Sequence, residues 1–354
     1  MERWADWLPL PRYDHFVTLG EGGTPLIESR RWPGVWFKAE FLNPTGSHKD
    51  RALALAATDA LAKGARVLGV FSAGSTGLSA AAYAARAGLA CAVLMSKGVA
   101  PTRRAALQSL GAHLFELDLP IDAGLAALAR AGGKRGIYVA STTRAHNPVQ
   151  AEAGRTLAYE IVQGLGEAPA RIIVPTGGGG TLAALHAGFE QLLDAGMTRH
   201  LPQLIAVVPE HYDTLRQAWQ ASPEEDGEFF ARPAPAEGPT ILDKLAHAHP
   251  PDGIEALRAL RRSSGRVLAV SDNEALAAVG QIGAKEGLYL EPSSAVVLCA
   301  LERLHADGTL RDDGLTVALA CGSGHRETHR QLQQPHPARV IAADEIETAL
   351  GALA

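Results

Sequence analysis

The chain has little cysteine, no excess of basic charge and no long apolar run, and each shortage removes a class of function. Its three cysteines, Cys91, Cys299 and Cys321, stand far apart with no CxxC pair. That spacing argues against a disulfide scaffold and a cysteine-built zinc site, and it suits a reducing compartment. A formal net charge of -5 with both signs scattered gives no basic stripe for a phosphate backbone, so nucleic acid is not an expected partner. No run approaches the length that spans a bilayer, and the opening MERWADWLPLPRYD is polar and proline-broken, without an apolar h-region. A soluble cytoplasmic protein with no membrane partner is expected. Several catalytic signatures are missing too: there is no GxSxG elbow and no GxxxxGK[ST] loop. His325 and His329 read HRETH rather than HExxH and have no evident third ligand, so no metal is expected.

What is present is a rhythm. The 47% hydrophobic content is ample for one large or two medium domains over 354 residues. Runs at Val67–Phe71, Cys91–Met95, His113–Leu117, Arg171–Pro175, Leu204–Pro209, Arg266–Ser271 and Leu315–Leu319 read as strands, with Val67–Phe71 and Leu204–Pro209 buried. Helical stretches at Ala52–Ala62, Leu78–Ala87, Pro101–Leu110, Asp122–Ala131, Gln150–Gln163 and Asp272–Gly283 alternate with them. This alternation predicts βαβ units and an α/β fold with parallel strands. Ser222–Pro239 reads as a surface loop or lid, and Ala338–Ile341 with Asp344–Leu353 as an added strand and helix.

The stretch Lys38–Arg51, KAEFLNPTGSHKDR, hands a lysine to the start of an alanine-rich helix. Asn43-Pro44 and Thr45-Gly46 break regular structure, and Ser47 offers an N-cap oxygen, which puts Lys49 in the first turn. The positive end of the helix dipole disfavours a cation there, and a neutral amine can form a Schiff base with a carbonyl. Read alone, the stretch better suits a solvated lysine beside Asp50 and Arg51. After the strand Arg171–Pro175 comes Thr176-Gly177-Gly178-Gly179-Gly180-Thr181, whose successive N–H groups can converge on one phosphate. It lacks the GxGxxG spacing of a dinucleotide loop. Ser72-Ala73-Gly74-Ser75-Thr76-Gly77 is a second strand-to-helix turn, with hydroxyls suited to a carboxylate, and Ser323 sits between glycines after a third strand.

These motifs together resemble the fold-type II pyridoxal 5'-phosphate (PLP) enzymes, nearest to the threonine synthases. NPTGSHKDR is similar to the family's cofactor-lysine motif and GEGGTPL to its N-terminal signature, and the resemblance runs roughly from Gly20 to Glu327. It implies two open parallel twisted sheets with flanking helices and an active site between domains. A smaller domain at 55–150 is inserted in a larger one made of 1–54 and 151–354. It also implies PLP held by a Schiff base on Lys49, with its phosphate on Gly177, Gly178, Gly179, Gly180 and Thr181. Ser323 faces the pyridine nitrogen, where a neutral hydroxyl leaves the ring a weaker electron sink. Ser72, Ala73 and Thr76 take the substrate carboxylate, and Ser75 replaces the family asparagine at the cofactor's 3'-oxygen.

The implied reaction is β- or γ-elimination or replacement on an amino acid, in a homodimer. Threonine synthase itself and a serine or threonine ammonia-lyase are the alternatives, and a non-catalytic binding protein on the same fold is a different class. The threonine synthase phosphate pocket, of the form Asn-Ser-x-Asn-Pro-x-Arg, departs here to Arg144-Ala145-His146-Asn147-Pro148-Val149-Gln150. Asn147 survives as a substrate-site candidate. Arg144 offers a new cation for the substrate's distal group, and the family's serine and arginine are lost.

Overall fold

Two sheets carry the chain in this computed structural model, which describes residues 1–119, 121–221, 229–230, 238–311 and 314–326, with isolated positions beyond 341. Most of Ser222–Pro239 and Asp344–Leu353, all of Ala338–Ile341, and His329 lie outside the described residues. The strands are β1 (Leu26–Glu28), β2 (Val35–Lys38), β3 (Val67–Phe71), β4 (Ala90–Ser96), β5 (His113–Leu117), β6 (Ile137–Val139), β7 (Arg171–Pro175), β8 (Gln203–Pro209), β9 (Arg266–Val270) and β10 (Thr316–Leu319). The helices are α1 (Lys49–Ala62), α2 (Ser75–Ala87), α3 (Pro101–Ser109), α4 (Ile121–Ala131), α5 (Pro148–Ala151), α6 (Arg155–Leu165), α7 (Gly180–Asp194), α8 (Thr214–Gln220), α9 (Gly253–Arg262), α10 (Asp272–Glu286) and α11 (Pro292–Ala306).

A six-stranded sheet runs β1-β2-β10-β7-β8-β9 and a four-stranded sheet β5-β4-β3-β6. Every pairing is parallel except β1 with β2. The larger sheet is apolar on both faces, which explains its unbroken Val/Ile/Leu runs. Ile172 and Val174 of β7, with Leu204, Ala206 and Val208 of β8, face one core. Ile173, Ile205 and Val207 face the other, with Ala295–Leu301 of α11. Side-chain alternation along a strand thus sends every second residue to a different helical layer.

The helix that carries Lys49 lies where the two sheets meet. Its Ala54, Ala56, Ala57 and Ala60 belong to the same core as Ala80, Ala81 and Ala84 of α2 and Leu157, Ala158 and Ile161 of α6. Small side chains let α1 approach α2 closely, so the start of α1 faces the end of β3 as well as those of β2 and β10. Ligands of open parallel sheets bind at such carboxyl ends.

Candidate helices from the sequence match within about a turn, and two differences bear on the site. α2 begins at Ser75, three residues early, which brings Ser75 and Thr76 into its first turn. Gln150–Gln163 is not one helix: α5 passes through a 3-10 turn at Glu152–Gly154 before α6 starts.

Candidate active site

Ser47 does not cap α1, contrary to the sequence reading. His48 holds the N-cap position with no side-chain cap bond, and Ser47 is buried with its hydroxyl lacking a hydrogen-bond partner among the described residues. The turn is tied instead by Asp50, which accepts from the Thr45 N–H, the Thr45 hydroxyl and the Ser79 hydroxyl, each at 2.6 Å. The preceding chain is zipped to the end of β10. The Phe41 N–H donates to Ala320 O at 2.9 Å, His48 N–H to Cys321 O at 3.0 Å, and Ser323 N–H to Gly46 O at 2.9 Å. Gly46 has φ +82° and would press a Cβ against Arg326 and Ser323, so this crossing requires glycine.

Lys49 emerges half-buried from this crossing, and none of the described residues gives its Nζ a hydrogen bond or an ion pair. Its pKa is lowered, and the cause is desolvation; Cys321, Asp252 and Glu291 pull it back up. The sequence reading had the direction right, but burial and not the helix dipole is the main cause. His48 beside it is driven down to about 3 by burial and by the Lys49 charge, so its ring is neutral. His48 Nε2 lies 3.5 Å from Thr181 Oγ1, and its Nδ1 is buried without a partner among the described residues. This contact brings the lysine turn and the glycine run together.

The glycines at 177–180 serve close packing as well as an open backbone. A Cβ on Gly177 would lie 2.7 Å from Leu245 Cα, and one on Gly179, which has φ +89°, 2.7 Å from Asp252 O. The segment 244–252 therefore lies directly against the run, and Gly180 opens α7. Thr142 O approaches Gly180 from the other side, at 3.4 Å from its notional Cβ. The 141–147 loop thus joins the same cluster.

At the end of β3, Ser72 accepts the Gly74 N–H at 3.2 Å, and a Cβ on Gly77 would collide with the Ser72 carbonyl. Ala73 and Thr76 are half-buried in this turn. Ser75 is buried, and its hydroxyl accepts from Arg326 Nη1 at 2.9 Å.

Two candidates prove to be engaged by the protein itself. Asn147 caps α5 by accepting the Gln150 N–H at 2.9 Å and donates to Val139 O at 2.9 Å and Tyr138 Oη at 3.1 Å. The Arg144 guanidinium is paired with Glu152, which Arg155 also holds. Gln150, where the family has arginine, buries its amide nitrogen without a partner among the described residues.

The sequence reading missed three groups. Cys321, a buried thiol pushed up by desolvation, sits with Glu291 and Asp252 in the electrostatic surroundings of Lys49. Cys321 was legible, lying two residues before Ser323 at the same strand end; Asp252 and Glu291 carried no local signal. Ser323 itself accepts the His325 N–H at 3.3 Å, and His325 packs edge-on to Tyr289. Among the described residues no cluster of metal-ligating side chains occurs, and no helix is long and apolar enough to cross a membrane.

A family model described as "Pyridoxal-phosphate dependent enzyme" matches residues 17–322. Threonine synthase of Mycobacterium tuberculosis (strain ATCC 25618 / H37Rv) is 33% identical over 347 residues, covering 96% of this chain and 90% of that protein. Threonine synthase of Methanocaldococcus jannaschii is 30% identical over 334 residues, covering 92% and 80%. Among solved structures, an L-serine ammonia-lyase from the fungus Rhizomucor miehei superposes with a TM-score of 0.73 at 19% identity, over 88% of this chain and 97% of that one. An O-ureido-L-serine synthase superposes with a TM-score of 0.69 at 20% identity, over 96% and 100%. At these identities the solved structures establish the shared fold.

Proposed function

The chain belongs to the pyridoxal-phosphate dependent enzymes, and we propose that within them it catalyses elimination or replacement at the β- or γ-carbon of an amino acid. The observation that carries this reading is Lys49, desolvated and without a protein partner among the described residues, where three strand ends converge. The residues fit the cofactor. A glycine-lined helix start offers N–H groups to its phosphate, and the orphaned Ser47 Oγ and His48 Nδ1 leave polar atoms beside the lysine.

When bound, the cofactor supplies an electrophilic carbonyl and an electron sink for the substrate's α-carbon. Lys49 would serve twice: its amine would hold the cofactor, and the same amine, when free, would take the substrate's α-proton and pass it to the departing substituent. A depressed lysine pKa makes both roles possible near neutrality. Ser72, Ala73 and Thr76 at the start of α2 orient the substrate's carboxylate. Ser323, which is uncharged, cannot hold a pyridine nitrogen protonated as a carboxylate would. That supports loss of a good leaving group over transamination.

Threonine synthase itself is the second reading, favoured by the two relatives above. Against it stand Ala145 and Gln150 in the distal pocket. A lost hydrogen bond to a charged group is worth about 1.5 to 3 kcal/mol, roughly one to two decades of affinity. O-phosphohomoserine is therefore expected to be a poor substrate. The proposal includes a division into 1–54 with 151–354 and 55–150, which the origin of the four-stranded sheet within 67–139 supports. It also includes a homodimer, read by sedimentation, and a cytoplasmic setting, which the buried free thiols Cys91, Cys299 and Cys321 support.

The test has two arms. Borohydride should fix a pyridoxyl group on Lys49 in the wild type and none in Lys49→Ala; a group fixed elsewhere sinks the lysine assignment. Holoenzyme should then be compared by kcat/KM on serine, threonine, homoserine and their O-phospho and O-acetyl esters. Efficient threonine formation from O-phosphohomoserine restores the second reading.

A further inference from the structure

Asp252 occupies the residue before α9, where an aspartate ordinarily accepts an N–H of its own helix, yet its side chain makes no such bond. It is turned away towards another helix. Oδ1 accepts the Arg144 N–H at 3.0 Å, and Oδ2 lies 2.5 Å from the notional Cβ of Gly180, the first residue of α7. The Asp252 N–H donates to Gly178 O at 2.9 Å, and the residue is 3% exposed. A buried carboxylate is thus pressed against the end of the glycine run that would receive an anion.

We propose that Asp252 is a negative determinant of cofactor binding, its carboxylate opposing the entry of an anionic phosphate monoester at the start of α7. The inference rests on the reading of Gly177–Thr181 as the phosphate loop. Two negative groups within a few ångströms in a dry pocket repel strongly, so both cannot stay charged in place. Relief is available locally. The first turn of α9 carries N–H groups with no intrahelical acceptor, and a side-chain rotation would let Asp252 cap them. A proton taken up by Asp252 relieves the conflict equally. The charged groups around it divide: Lys49 and Arg144 favour the carboxylate, Glu255 opposes it, and burial raises its pKa. The guanidinium of Arg144 is itself balanced by Glu152.

The test compares wild type with Asp252→Asn and Asp252→Ser, both competent to cap α9 and both uncharged. Apoprotein is titrated with PLP and with pyridoxal, which lacks the phosphate, followed by visible absorption, and inorganic phosphate is added as competitor. Both variants are expected to bind PLP about tenfold or more tightly than wild type and to show a lower inhibition constant for inorganic phosphate, with pyridoxal changed by no more than about twofold. The PLP-to-pyridoxal ratio, taken within each variant, cancels any general loosening of the fold. A ratio that is unchanged or falls overturns the proposal and leaves Asp252 as an anchor for the Arg144 loop. A wild type in which borohydride fixes no pyridoxyl group on Lys49 overturns the cofactor reading beneath it.

Discussion

Arg326 reaches from the end of the six-stranded sheet to Ser75 at the start of α2, donating from Nη1 to the hydroxyl at 2.9 Å. This bond ties the two sheets across the cleft beside the lysine turn, because the Arg326 stem passes Gly46 on its way. It also sets a guanidinium against Ser75, the residue that the resemblance aligns with the family asparagine.

Replacing Ser75 should therefore act on charge as well as shape. Ser75→Asn fills the space that the guanidinium crosses, and the visible absorption of the PLP-loaded protein, or its pH dependence, should shift. Ser75→Ala should lower the urea midpoint at unchanged m, equivalent to about 1 kcal/mol. A spectrum and turnover identical to wild type in Ser75→Asn would place this residue away from the cofactor.

Two residues past Lys49, Arg51 is buried in a closed charge network. Its guanidinium donates to both oxygens of Glu40 at 2.7 Å and to both oxygens of Glu160 at 2.7 and 2.9 Å, and Lys38 adds a 2.7 Å contact to Glu160. Desolvation works against both carboxylates, yet Arg51 holds each below the usual range. Arg51→Met should destabilise the protein by about 3 to 5 kcal/mol, since it leaves the buried Glu40 without its cation and Glu160 with Lys38 as its remaining close one. Arg51→Lys should recover only part of that, because a single ammonium cannot present the paired N–H donors that meet both oxygens of two carboxylates. Equilibrium urea unfolding measures both, and a loss below about 1 kcal/mol in Arg51→Met contradicts the network's role.

His48 ties stability to pH. Its folded pKa of about 3 lies below the ordinary 6.5, so between those values the unfolded chain binds more protons than the folded one. Stability should fall as pH drops through that window, by up to about 1.4 kcal/mol per pH unit from this residue. His48→Phe should have a flatter profile of melting temperature between pH 6 and pH 4 than wild type, the remaining slope coming from carboxylates such as Glu160. Parallel profiles for the two proteins would show that His48 is not desolvated in solution.

Arg144 is the cation that the sequence offers to a substrate's distal group, but in the structure it is already neutralised by Glu152. Arg144→Ala should change kcat/KM for the preferred substrate by less than about tenfold, a loss of under 1.4 kcal/mol of transition-state binding. A hundredfold drop would mean that it leaves Glu152 to meet the substrate.

The sequence alone determined the strand and helix order, the turns that end the strands and the lysine that begins α1. Those features are written locally: apolar runs with both faces buried, glycine where the backbone turns left-handed, and hydroxyl-rich strand ends. The same local code offered Ser47 as a cap and failed there. Pairing of residues 46–48 with 321–323 fixes the Ser47 side chain in the interior, and Asp50 ties the turn from below. Only the tertiary structure decided that Asp252 faces Gly180, that Arg326 crosses to Ser75 and that Arg51 meets Glu160. Those partners lie from 72 to more than 250 residues apart, and no periodicity relates them. Helix packing on the six-stranded sheet sets Asp252 against Gly180, the Arg326–Ser75 bond runs between the two sheets, and the burial that folding creates, more than any neighbour in sequence, lowers the lysine's pKa.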